Sequence, residues 1–201
     1  MAEVSLAAFV TIAATLFVAE LTDKDALLLL AISTKVRARL AFAAGATAFA
    51  ITTTIIVAAG SLIVAVVPVS WVRIAGGVVM LAYGLWGARG LVGEKEVEKQ
   101  ESRIARSGSQ WRVFLALVAS LALLDLAGDA TEVLTVVLVA NYGSPLFVFS
   151  SVCVGLFSAA AAETALGSRL GRLLTPRRLQ VGSAVIFILL GLLIIFFGSL
   201  W

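Results

Sequence analysis

Outside one polar stretch, GEKEVEKQESRIARSGSQ at residues 93–110, nearly every run of this chain is apolar. Hydrophobic residues make up 61% of it and charged ones only 13%, with a mean hydropathy of +1.09, which no soluble core of this size demands. Runs long enough to cross a hydrocarbon layer of roughly 30 Å recur from end to end. The expected fold class is therefore an all-α integral membrane protein. The runs place spans at about 5–34, 38–66, 70–90, 112–140, 145–167 and 178–200, which makes six transmembrane helices. No basic region precedes the first run and Glu20 interrupts it, so it reads as a retained span and not as a secretory signal. The polar stretch divides the chain into residues 1–92, a charged linker at 93–110, and residues 111–201. Alternating charge in the linker fits a solvated helix or a mobile loop.

Basic residues sort by loop. Lys35, Arg37 and Arg39 follow the first span, Arg89, Lys95, Lys99, Arg103, Arg106 and Arg112 surround the linker, and Arg169, Arg172, Arg177 and Arg178 lie between the last two spans. Only Arg73 falls on the opposite side, and Lys24 lies within a span. Cytoplasmic loops carry the excess of Lys and Arg, so both termini are expected outside and the linker inside. Three spans per half is an odd number, so the halves insert with opposite orientation. Compact loops and the lack of a transit peptide point to a prokaryotic plasma membrane. The net charge of +3 reflects these loops, and no nucleic-acid partner is expected.

The halves also repeat. Residues 14–21 read ATLFVAEL and residues 119–126 read ASLALLDL, placing Glu20 opposite Asp125. Near the end of each half, Ala75, Gly76, Gly77 and Gly84 match Gly182, Ser183, Ala184 and Gly191 in spacing. Two inverted three-helix repeats bind substrate where they meet near the bilayer midplane, often at broken helices. Spans one and four are the candidates for breaking, since each is longer than a straight crossing needs and carries acids in its middle.

Those acids are the candidate site. Seven carboxylates sit inside apolar runs, and six form matching clusters, Glu20, Asp23 and Asp25 in the first half and Asp125, Asp129 and Glu132 in the second. Charges within a membrane normally line a substrate or ion path. Glu20 and Asp23 are three residues apart, Asp125 and Asp129 four, and Asp129 and Glu132 three, so on a helix each pair shares a face. Crowded like charges repel in a low dielectric, and either protons or a bound cation relieves them. With no histidine and one cysteine, Cys153, an internal disulfide is excluded and any metal must be held by oxygen. Such ligands favour hard cations such as calcium, magnesium or manganese. Thr22, Thr131 and freed backbone carbonyls complete the expected ligand set. Glu163, towards the cytoplasmic end of the fifth span, reads either as an acid of the vestibule or as one that meets Arg169 or cytoplasmic water, and the second is expected because helix ends tolerate charge. The small residues around it, with Gly76, Gly77, Gly182 and Ser183, read as close-packing surfaces.

Residues 20–25, ELTDKD, resemble the E-x-G-D-K-T motif, and residues 128–132, GDATE, resemble G-D-(K/R)-(T/S)-Q. These are the paired signatures of the calcium:cation antiporter-2 family, Gdt-type calcium and manganese transporters of the LysE superfamily. The resemblance implies exchange of a divalent cation for protons, with the two motifs facing each other and no enzymatic activity. Thr22 stands at the first motif's glycine, Asp25 at its threonine and Ala26 at the usual glutamine. In the second motif Ala130 takes the basic position, Glu132 the glutamine and Leu126 the glutamate, with Asp125 one residue early. No resident cofactor is expected beyond the transported cation. Two alternatives use the same acids: a cation channel, which usually needs an oligomer around one axis, and an intramembrane aspartyl protease, since Ala127, Gly128 and Asp129 resemble the end of a GxGD motif. A homo-oligomer is compatible with the sequence.

Overall fold

The computed structural model describes residues 4–21, 23–88, 104, 108–126, 130–170 and 176–197. All the regular structure among them is helical. In chain order the helices are α1 (Leu6–Glu20), α2 (Lys24–Ser33), α3 (Ala38–Val66), α4 (Val69–Ala88), α5 (Gln110–Leu126), α6 (Ala130–Tyr142), α7 (Pro145–Leu170) and α8 (Pro176–Phe197). Most of the charged linker lies outside the described residues.

Several helix boundaries have a local cause. The Ser5 hydroxyl accepts from the Ala8 amide at 3.1 Å and opens α1. At the other end of α1 the chain tightens: the Leu21 amide donates to Phe17, and the Asp23 amide to Glu20 at 2.9 Å. A three-residue turn replaces the helical ladder there, where the sequence turns to short polar side chains that compete for the backbone. Gly143, at φ 60°, ends α6, and Pro145 opens α7.

Helices α1 and α2 meet at a bend of 69°, and α5 and α6 at a bend of 64°. Both spans that were expected to break therefore do so. Helices α3 and α7 are long and apolar enough to cross a membrane unbroken, and each bent pair qualifies when taken together. The apolar stretches at 69–85 in α4 and 184–196 in α8 are shorter. Large apolar side chains such as Leu6, Val66, Leu146 and Phe196 point outward, as a lipid-facing surface requires. Trp71 and Trp111 are exposed near helix ends, where an indole suits the membrane interface.

Packing contacts establish the inversion. Gly77 of α4 lies against Gly191 of α8, while Gly84 lies against Ala184. As one helix advances the other retreats, so these equivalent helices are antiparallel. The same holds for α3 and α7, where Gly45 faces Ala160 and the Thr53 side chain hydrogen-bonds Cys153. The contacts between halves are also reciprocal. Gly60 on α3 packs on Val136 and Val139 of α6, and Gly167 on α7 packs on Leu30 and Ser33 of α2. Helix α1 lies on α7 as α5 lies on α3. A pseudo-twofold axis in the membrane plane relates the halves, each bent pair lying along the other half's long helix. Gly76 also sits tightly against Val137, so the glycines of α4 are packing surfaces, as their spacing suggests.

Candidate functional site

Both acidic clusters fall at the bends. Glu20 is the last residue of α1, Asp23 lies in the turn, and Asp25 is in the first turn of α2. Glu20 and Asp25 are fully buried, and Asp23 is 6% exposed. In the other half Asp125 is the penultimate residue of α5 and is buried, Thr131 is buried at the start of α6, and Glu132 beside it is half-buried with one oxygen fully covered. Asp129 and Thr22 lie outside the described residues.

Helix ends shape the electrostatics of these positions. Asp25 and Glu132 sit in first turns, where the positive end of the helix dipole favours an anion. Glu20 and Asp125 sit in last turns, where the negative end of the helix dipole makes a cation welcome and an anion unwelcome. A cation placed at either bend would meet carboxylates and the negative end of a helix together. Charge burial points the same way. An acid held ionised at mid-membrane costs roughly 2.5–3.5 kcal/mol even on the mildest scale, and several together rival the ~5–15 kcal/mol by which a typical domain is stable. Such groups persist where protons or a cation neutralise them.

The two bent pairs are in contact. Helix α1 touches α6 and α2 touches α5, so the broken pairs meet crosswise. Among the described residues, however, no three carboxylate or thiol groups stand close enough together to cage an ion. The arrangement offers oxygen donors at two helix breaks, with α7 packed along α1 and α2 and α3 along α5 and α6.

Two features were not anticipated. Glu163 does not reach water: it is 1% exposed, and neither carboxylate oxygen has a hydrogen-bond partner among the described residues. The Arg73 guanidinium donates to the Asn141 side chain, tying α4 to the far end of α6. The four-residue spacing of Gly155, Ala159, Glu163 and Gly167 carries the signal for the first, since it puts Glu163 on a close-packing ridge. Nothing local in the sequence marks the second.

No curated protein and no solved structure matches the chain. A family model described as divalent cation/proton antiporter GDT1 matches it twice, over residues 8–95 and 113–200. One match covers each inverted half and spans all three of its clustered acids. The chain is an integral membrane protein of the GDT1 family of divalent cation/proton antiporters, a family of transporters and not of enzymes.

Proposed function

We propose that the exchanged ion is calcium or manganese and that it binds between the two bends. Its ligands on this reading are Glu20, Asp23, Asp25 and Thr22 from the first half and Asp125, Asp129, Thr131 and Glu132 from the second. The observation that supports it is the burial of Glu20, Asp23 and Asp25 in one half and Asp125 in the other, each beside the break of a bent helix pair, with the two pairs in contact. The absence of histidine from the sequence and the burial of Cys153 in α7 leave only oxygen chemistry at the bends, which suits these hard cations. Glu20 or Asp23 approaches Asp125 or Asp129 near the pseudo-twofold axis and shares one ion with it.

In this mechanism the empty site carries protons, the ion displaces them, and rocking of one half against the other exposes the site to alternate sides. The basic loops set both termini outside and the linker in the cytoplasm, in a prokaryotic plasma membrane. The domain limits are those of the sequence, 1–92, 93–110 and 111–201. One chain supplies both clusters, so the mechanism does not require a homo-oligomer.

The test is exchange in proteoliposomes. An imposed calcium or manganese gradient drives opposite proton flux through the wild type, and Glu20→Gln or Asp129→Asn reduces that flux to background in protein that still folds. Equal flux through the wild type and Asp129→Asn removes that residue from the mechanism. Cation current without proton movement would favour a channel instead.

A further inference from the structure

Glu163 is the buried acid that neither motif accounts for. It is not at the bend of its own half, it is 1% exposed, and both oxygens lack a hydrogen-bond partner among the described residues. A carboxylate buried this way is costly, and a glutamine or leucine would fill the same space without the charge.

Its direction follows from the helix that carries it. Gly155, Ala159, Glu163 and Gly167 succeed one another at four-residue intervals and form one ridge of α7. A Cβ on Gly155 would lie 2.5 Å from the Ala13 carbonyl and 3.0 Å from the Leu16 side chain, both on α1. One on Gly167 would lie 2.5 Å from the Leu30 carbonyl and 2.9 Å from the Ser33 hydroxyl, both on α2. The ridge thus begins against α1 and ends against α2. Glu163 lies between these contacts, about 12 Å beyond Gly155 at 1.5 Å per residue. The same rise along α1 from Ala13 leads to the turn that holds Glu20 and Asp23.

The other half has no such acid. Gly60 is the counterpart of Gly167, since each packs on the opposite half's second half-helix. Four residues before Gly60 stands Ile56, so the position equivalent to Glu163 is apolar.

We propose that Glu163 is a further divalent-cation ligand, aimed from α7 at the α1–α2 bend, which makes the ion path lopsided. The inference rests on the antiport reading above, and it adds a carboxylate outside both motifs. In passing the first bend the cation gains an anionic oxygen that it lacks at the second.

The test uses the full chain. In detergent, manganese or calcium added alone raises the melting temperature of the wild type, and Glu163→Gln loses most of that increment while its metal-free melting temperature stays equal or rises. In proteoliposomes Glu163→Gln raises the cation KM about tenfold or more, and Glu163→Asp, which keeps the charge but shortens the reach, falls between. A Glu163→Gln protein with the wild-type increment and the wild-type KM overturns the proposal. Should that variant fail to fold, Glu163→Asp decides, and an unchanged KM overturns it. Wild type that neither binds nor exchanges a divalent cation sinks the antiport reading and this proposal together, whereas normal exchange by both proteins sinks only the latter.

Discussion

Each half carries one acid in the first turn of its second half-helix, but one residue out of step with the other. Aligning Asp23 with Asp129 sets Asp25 against Thr131 and Ala26 against Glu132. One residue turns a helical side chain through about 100°, since 3.6 residues make a turn. The burial agrees: Asp25 is fully covered, whereas Glu132 is half-buried with one covered oxygen. A half-exposed carboxylate is screened by water, so its charge reaches an ion weakly. Asp25→Asn is therefore expected to raise the cation KM by tenfold or more, and Glu132→Gln by less than about threefold, both read as manganese-driven proton flux. A larger effect at Glu132 would put the ion nearer α6 than α2.

Between helices, small residues decide which approaches are close. A Cβ on Gly84 would meet the Ala184 carbonyl at 2.8 Å and the Ile188 amide at 2.9 Å, both backbone atoms that cannot swing aside. On Gly77 the nearest atom is the Ile195 Cγ1 at 2.5 Å, a side-chain atom, and the Gly191 carbonyl lies further off at 3.2 Å. Overpacking costs about 1–3 kcal/mol where nothing yields, against a gain of roughly 1 kcal/mol in helix propensity from glycine to alanine. Gly84→Ala should lower the melting temperature in detergent, and Gly77→Ala should lower it less. Much of this element-level plan was legible in the sequence. The second span was read as 38–66, as α3 runs, because an apolar run bounded by Arg37 and Pro68 leaves a helix nowhere else to end. The breaks in spans one and four were legible from acids midway along runs too long for one crossing. Burial of Glu163 was not, since a run of small residues announces close packing without saying which helix arrives. The path of α1 and α2 along α7, with α3 packed on the same helix, is a matter of tertiary packing that the local sequence does not show.

For the whole molecule, inversion means that each end of the transport path is built from both halves. The expected topology puts Ser5 and Ser144 on the outer side and Val36 on the inner one. In a Cys153→Ser background, cysteines at the first two positions should react with an impermeant thiol reagent in intact cells and one at Val36 only after lysis. The reverse pattern would invert the proposed orientation without touching the exchange chemistry. That chemistry has its own signature. The clustered carboxylates must be deprotonated to bind a metal, so protons and cation compete for the same oxygens. Apparent affinity should then rise as pH rises, because fewer protons remain to be displaced, and fall in acid. Each binding event should release protons into a weakly buffered detergent solution, and the number released should shrink as the pH climbs and the acids empty beforehand. Acids that only brace the helix breaks would show neither coupling. Metal titrations by calorimetry at several pH values, in buffers of different ionisation enthalpy, measure affinity and proton release together. Binding that is insensitive to pH and releases no protons would leave a metal site standing but remove the step that links it to proton transport.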